Sequence, residues 1–439
     1  MRRVCLTLPT NRACPQTIAA IGEEAAYATG RFDVEVHLLI LDSSDPATFA
    51  AHAAAVRALP ENPRISVHHL GEPEQRAFLS RVIGRADVAK PELMLELMLP
   101  ATVSYGACTN RAFLIAAALG CESVHRRDSD SRYQEFEGEP VFPVHHELAS
   151  LGRRAADAAH GAVETTLEPR HAHKNVAMVG SSFVGELSVD ISEIRGLDPE
   201  AYHDVVSLWA PDDWSEQQKR DLVEDSFRGA GSEPFTGDRT TLGLVDPMRV
   251  DMCNIAFHGV HERVPLPPAT DTIGSDYFLI HLVHDAALPG VLHNRNIVNY
   301  YTAERRTDAG FLAYQTRFVK FFLSMLYFNF IYDRMAAAGE ALLDGDGHVR
   351  ASVISELARE SATLDRAGNV RRLDRIDAAY RRLGGRYAHF ADLLAARRER
   401  LLAEARGDIE DFALLTKAWE PLMRAARDSG AHLTAGRPA

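Results

Sequence analysis

The chain has 439 residues, 46% of them hydrophobic and 25% charged, the balance of a globular protein with room for roughly two to four domains. Its 48 basic residues against 61 acidic ones give a net charge of -13. That excess argues against partners such as nucleic acid or an anionic membrane, both of which call for a basic surface. The five cysteines (Cys5, Cys14, Cys108, Cys121, Cys253) show no CxxC spacing and read as reduced thiols of a cytoplasmic protein.

Residues 4 to 8 are a short β-prone run interrupted by Pro9, too short for a secretory signal. Pro15 suits the first turn of a helix reaching about Thr29, because the N–H it lacks is not needed there. Val34 to Leu41 reads as a strand that ends at the turn Asp42-Ser43-Ser44-Asp45-Pro46. An Ala-rich helix to Leu59 and a strand over Ile65–Leu70 follow, and this alternation predicts an α/β layer with a mostly parallel sheet. Gly71 to Tyr105 is an insert containing a helix around Glu92 and Glu96. Asn110 to Leu119 then reads as a buried helix stopped by Gly120. Ser123–Arg126 is a short strand, and its polar His125-Arg126-Arg127 predicts a short or edge position. Further β-rich stretches cover Val176–Gly180 and Glu186–Ile191.

Past Arg305 the pattern becomes helical. Phe321 to Tyr332 is the most apolar stretch, about a dozen residues where a bilayer crossing needs roughly 20, so a buried or interfacial helix is expected and no membrane span. Leu373, Ile376, Tyr380, Leu383, Tyr387, Phe390 and Leu394 form one helical stripe, which Gly384-Gly385 should kink or break.

The most informative motif is Asp128-Ser129-Asp130 at the end of the short strand. Carboxylates two residues apart point the same way from an extended backbone, or fan around a tight turn. At the C-terminal edge of an α/β strand they face the crevice where ligands bind. Paired hard oxygens suit Mn²⁺ or Mg²⁺, which can bridge a diphosphate. A solvated turn is the plainer reading of such a motif.

Together with Pro9-Thr10-Asn11-Arg12 after the first strand, Asp42 after the second and Asn110-Arg111 in a helix before the motif, this order resembles the nucleotide-diphospho-sugar-binding half of GT-A glycosyltransferases of the family-2-like kind. The resemblance implies a GT-A-like domain over residues 1–304, with a donor half to about 132 and an acceptor half over 133–304, and a helical region over 305–439. It implies that Pro9, Thr10 and Arg12 line the nucleotide pocket, that Asp42 meets base or ribose, and that Arg111 approaches the diphosphate. Asp128 and Asp130 would hold Mn²⁺ or Mg²⁺, with His293 as a third ligand and Arg295 stabilising the leaving diphosphate. Asp276, or else Asp271, would orient or deprotonate the acceptor; capping of the following helix by Ser275 or Asp276 is the competing reading.

The implied partners are a nucleotide-diphosphate sugar and a small-molecule acceptor, with a homo-oligomer formed through the helical C-terminus. The chain is also similar to the sugar-to-thiol transferases of lincosamide antibiotic assembly, which use a GDP-octose and ergothioneine. A nucleotidyltransferase or sugar-phosphate enzyme on the same sheet would need a Gly-rich, Lys-containing loop after the first strand, which is absent. Two further alternatives stay open. One is a non-catalytic sugar-nucleotide-binding or scaffold protein. The other is a zinc hydrolase built on His145-His146-Glu147, His171/His173, His258/His261 or His281/His284, although no HExxH is present. GxSxG, Walker A and GxGxxG motifs are absent.

Overall fold

The computed structural model describes residues 1–186, 191–300 and 306–430. The expected division at 304/305 and part of the β-rich stretch at 186–191 lie outside the described residues. Strands β1 (Arg2–Thr10), β2 (Val34–Asp42), β3 (Ile65–Leu70) and β4 (Ser123–Arg127) are parallel and lie in the order β3-β2-β1-β4. The chain therefore builds outward from β1 to β3, then returns to the other side of β1. Such a reversal opens a crevice at the carboxyl ends of β1 and β4, where ligands bind in α/β sheets.

A smaller sheet and the far half of the large one come from the later strands. They are β5 (Ser131–Phe136), β6 (Glu139–Val141), β7 (Glu164–Thr165), β8 (Met178–Gly180), β9 (Phe183–Gly185), β10 (Thr240–Gly243), β11 (Asn254–His258), β12 (Gly290–His293) and β13 (Ile297–Asn299). The large sheet continues from β4 as β11-β8-β12-β10-β7, and β11 is antiparallel to both neighbours, so the sheet is mixed. The small sheet runs β6-β5-β13-β9.

Three local expectations are corrected. Pro9 does not end β1, which continues to Thr10; pairing with β4 stops at Thr7, so beyond it β2 alone is the ladder partner and a missing N–H is tolerated. The helix expected to open at Asn110 begins at Tyr105, because the Ser104 side chain accepts from the Ala107 amide and caps it. Asn110 instead sits buried inside that helix and bonds both the amide and the carbonyl of Leu266. One turn earlier, Gly106 lets Pro267 approach so closely that a Cβ there would stand 1.9 Å from its carbonyl oxygen.

Strand β4 is short, five residues, as its polar side chains predict, but it is not at an edge: it lies between β1 and β11 with every residue buried. Its polar side chains are tolerated because carboxylates meet them. Arg127 pairs with Glu24 at 2.7 Å and Glu147 at 2.9 Å, and the His125 ring reaches Glu147 at 2.8 Å. Glu24 comes from the helix Pro15–Arg31 and Glu147 from the helix Val144–Ser150, so this cluster joins both helices to the centre of the sheet.

The insert after β3 forms helices Glu72–Ala86 and Pro91–Met98, which pack on the 44-residue helix Gly385–Asp428. Gly384, at φ +71°, breaks the apolar stripe into Ala367–Leu383 and Gly385–Asp428, as the paired glycines predict. Leu373, Ile376, Tyr380, Tyr387 and Phe390 on that stripe are buried within the chain. That stripe is thus spent on packing within the chain. No helix among the described residues is long and apolar enough to cross a membrane.

Candidate functional site

Two cavities open at the carboxyl ends of β1 and β4 and share Tyr105, Arg126, Asp128 and Asp130 as a common wall. The first, of 240 Å³, is lined by Pro9, Thr10 and Arg12 from the end of β1, Ser43 after β2, the loop 99–104 and Arg111. The second, of 210 Å³, lies toward Asp251, Asp276 and the helix Asp308–Ala338.

The Asp128–Asp130 turn is held from both sides. Thr17 Oγ1 donates to the Ser129 carbonyl at 3.0 Å, and the Arg12 guanidinium pairs with Asp130 at 3.1 Å. Thr10 accepts from the Arg12 amide and donates to its carbonyl, which fixes the loop that carries this arginine. On the far side Arg126, 3% exposed, reaches Asp128 at 3.1 Å, Asp276 at 3.0 Å and the Met252 carbonyl at 2.9 Å. One guanidinium therefore ties the Asp-x-Asp turn to the acidic residue before the helix Phe278–Asp285.

Asp276 does not cap that helix: no side-chain cap is present at either Gly274 or Tyr277, and the carboxylate goes to Arg126 instead. Burial raises its pKa above the ordinary carboxylate value. Burial, with Asp130, Asp251 and Asp276 nearby, pushes Asp128 up to about 6 despite the opposing pull of Arg126. Asp128 thus has the carboxylates of Asp130, Asp251 and Asp276 as near neighbours. Carboxylate oxygens gathered in this way are a hard donor set of the kind that Mn²⁺ or Mg²⁺ takes.

Arg111 lies on the first cavity's wall, which also carries Glu72. It is 6% exposed, and its guanidinium donates to Gln75 Oε1 at 2.8 Å and to the Met98 carbonyl at 2.6 Å. Both partners are neutral, and among the described residues it makes no ion pair. A buried guanidinium on a cavity wall is a group that can make charge-assisted hydrogen bonds to an anion.

The remaining expected site residues lie elsewhere. Asp42 is 1% exposed and lines neither cavity. Its carboxylate accepts from the Ser44 amide at 2.9 Å and faces His52 at 2.7 Å and His69 at 2.8 Å. These three side chains stand close enough to share a divalent ion. As built, however, the other ring nitrogen of His52 accepts from the Cys14 amide at 2.9 Å, so the group works as a hydrogen-bonded brace beneath the Thr10–Arg12 loop. His293 is buried against His146, 5.5 Å between ring centroids, and is not brought to Asp128 and Asp130. Arg295 makes a two-pronged pair with Asp238, at 2.7 and 2.9 Å, away from both cavities. Asp271, at φ +48°, donates its amide to the Val103 carbonyl and lines neither cavity.

Asp251 and Tyr105 belong to the site and escape sequence reasoning. Asp251 precedes β11 and receives the Tyr277 hydroxyl and the Cys253 amide; its only local signal is an acidic residue ahead of a strand. The histidine pairs suggesting zinc do not assemble: among the described residues none joins a third ligand.

A family model described as a family of unknown function, DUF6271, matches residues 2–435. The chain belongs to this family. No curated protein matches the DUF6271 chain. Among solved structures it is similar to a mycobacterial protein, at 16% identity and a TM-score of 0.37 over 74% of each chain. It is also similar to the mannosyltransferase PcManGT from Pyrobaculum calidifontis in complex with GDP-Man and Mn²⁺, at 14% identity and a TM-score of 0.33, covering 96% of this chain and 88% of that one. Similarity at this level sets neither the fold nor the activity of the DUF6271 chain.

Proposed function

We propose that the chain is a metal-dependent glycosyltransferase of the GT-A kind, moving a sugar from a nucleotide-diphosphate donor to a small acceptor. The observation that carries this reading is the charge pattern at the switch of strand order. Arg111, with no ion pair among the described residues, lines the same cavity as the carboxylates of the Asp128–Asp130 turn. A buried guanidinium and paired carboxylates on one cavity suit a diphosphate carrying a divalent ion. The nucleoside would lie along Pro9, Thr10 and Arg12.

Asp128 and Asp130 would hold the ion, which when bound neutralises charge on the diphosphate. Arg111 would meet the negative charge that grows as the nucleoside diphosphate departs. Asp276 stands across the shared wall, held by Arg126, and its burial makes it a stronger proton acceptor than an ordinary carboxylate. In the transfer, the acceptor heteroatom forms its bond to the anomeric carbon, and the bond from that carbon to the diphosphate oxygen breaks. Its electron pair leaves on the nucleoside diphosphate, and the acceptor proton passes to Asp276. A GDP-sugar and a thiol acceptor are the finer form of this proposal.

The test is a thermal-shift panel of GDP, UDP, TDP, ADP and CDP with and without Mn²⁺. A ligand of the native state at about 100 times its dissociation constant adds about 2.7 kcal/mol, a readily measured rise in melting temperature. One diphosphate should stabilise the protein only with Mn²⁺, and Asp130→Ala should remove the effect. No shift for any diphosphate in folded protein would overturn the reading.

A further inference from the structure

Both carboxylates of the Asp128–Asp130 turn have a guanidinium partner, but the two arginines are held differently. Arg126 is buried and fixed at once by Asp128, Asp276 and the Met252 carbonyl. Arg12 meets Asp130 from Nη1 to Oδ2 at 3.1 Å, and its side chain is 23% exposed where it lines the first cavity. Asp130 itself is 6% exposed. A carboxylate buried to that degree is costly unless a cation or hydrogen-bond donor stands beside it, and Arg12 is such a group.

The backbone that carries Arg12 is pinned. Thr10 Oγ1 bonds both the amide and the carbonyl of Arg12, and the Cys14 thiol donates to that same oxygen at 3.4 Å. The Cys14 amide donates in turn to His52 at 2.9 Å. The loop is therefore fixed, while the guanidinium at its cavity-facing end can turn.

Arg12 and a divalent ion would compete for the same carboxylate. Once displaced, the guanidinium would stand as a like charge beside the ion, a repulsion relieved when an anion in the cavity receives it. Two ligands that both favour release of one side chain bind cooperatively, typically by about 5–150-fold.

We infer that Arg12 is a placeholder for the metal. It keeps Asp130 paired before the ion binds and passes to the diphosphate when ion and nucleotide are both present. Arg12 is thus a positioning residue that makes ion binding depend on the nucleotide. The hand-over rests on the glycosyltransferase reading for its diphosphate; the hold of Arg12 on Asp130 does not.

Mn²⁺ titration of the full chain without nucleotide, followed by the electron paramagnetic resonance signal of the free ion, tests this. Arg12→Gln should bind Mn²⁺ alone about fivefold or more tightly than wild type, because a competing charge-assisted pair is gone. Adding Asp130→Ala to that variant should abolish the gain. Arg228→Gln serves as the control for charge alone, since it takes a cation from the second cavity where it pairs with Asp225. It should change Mn²⁺ affinity by less than about twofold, as expected for an exposed, screened charge. The nucleotide should respond in the opposite sense: the Mn²⁺-dependent rise in melting temperature should fall by about half or more in Arg12→Gln. A purely structural loop would weaken both kinds of binding, and a simple nucleotide contact would leave Mn²⁺ alone unchanged. If Arg12→Gln does not fold, Arg12→Lys decides; its ammonium holds a carboxylate only as a point charge, so Mn²⁺ should tighten by about twofold. Mn²⁺ binding that is unchanged or weaker in the folded variant, or equally tightened by Arg228→Gln, would overturn the inference. So would a full diphosphate shift in Arg12→Gln. Tighter Mn²⁺ in Arg12→Gln with no diphosphate shift in wild type upholds the grip on Asp130 and removes the donor reading.

Discussion

Asp276→Asn should lower the rate of sugar transfer by about 10²–10⁴-fold, the range for loss of a general base, while leaving nucleotide–Mn²⁺ affinity within about twofold. The split follows from geometry. Asp276 lines the second cavity and is absent from the wall of the first one, and Arg126 pairs with both it and Asp128. Asparagine keeps the hydrogen bond to Arg126 but cannot take a proton. Steady-state kinetics with the donor found in the nucleotide panel, beside nucleotide affinity measured directly, separates the two effects. A variant retaining more than about a tenth of the wild-type rate would remove Asp276 as the base.

The second large effect concerns stability. Arg127→Met should destabilise the fold by about 3–5 kcal/mol at pH 7, because it leaves Glu24 and Glu147 buried and facing each other without their cation. Arg127 and His125 hold Glu147 below the ordinary glutamate pKa. A depressed carboxyl contributes stability that is present above its unfolded pKa of about 4.3 and is lost as pH falls toward the folded value. The wild type should therefore weaken below about pH 4, and the deficit of Arg127→Met should shrink over the same range, since protonation relieves the unpaired carboxylates. Urea unfolding at pH 7 and pH 4 measures both. A variant within about 1 kcal/mol of wild type at pH 7 would show that the cluster adds nothing beyond an exposed pair.

The parts of this molecule legible in the sequence are those whose signal is local. The strand–helix alternation up to β4, the Pro15 helix start, the Gly384 break and the Asp128–Asp130 turn each depend on a few adjacent residues, and the structure contains them. Arg111 and Asp276 needed the resemblance as well, and the structure sets them on the two cavities that flank the turn.

What the sequence hides depends on residues far apart along the chain. Strand β4 reads as short or at an edge because His125-Arg126-Arg127 is polar; it is short but central, and only the folded chain brings Glu24 and Glu147 to it from 103 and 20 residues away. His293 and Arg295 fit a late ligand loop by type, but they meet His146 and Asp238, which no local pattern announces. Asp42 ends its strand as expected, yet His52 and His69 take up its carboxylate. The insert from Gly71 to Tyr105 had no assigned purpose in the sequence; it supplies Gln75 and the Met98 carbonyl, the two groups that orient Arg111.

The most direct measurement is pulsed electron paramagnetic resonance of Mn²⁺ added to the protein with the nucleoside diphosphate that stabilises it. Three groups of described residues could hold the ion, and they differ in donor chemistry: carboxylate oxygens alone at Asp128 and Asp130, imidazole nitrogens with a carboxylate at His52, His69 and Asp42, and one imidazole with two carboxylates at His348, Asp344 and Asp346. The account predicts phosphorus coupling from the diphosphate, no nitrogen coupling from histidine, and loss of the bound signal in Asp130→Ala. Histidine nitrogen coupling, or a bound ion showing no phosphorus coupling, would place the metal away from the Asp128–Asp130 turn and contradict the donor site.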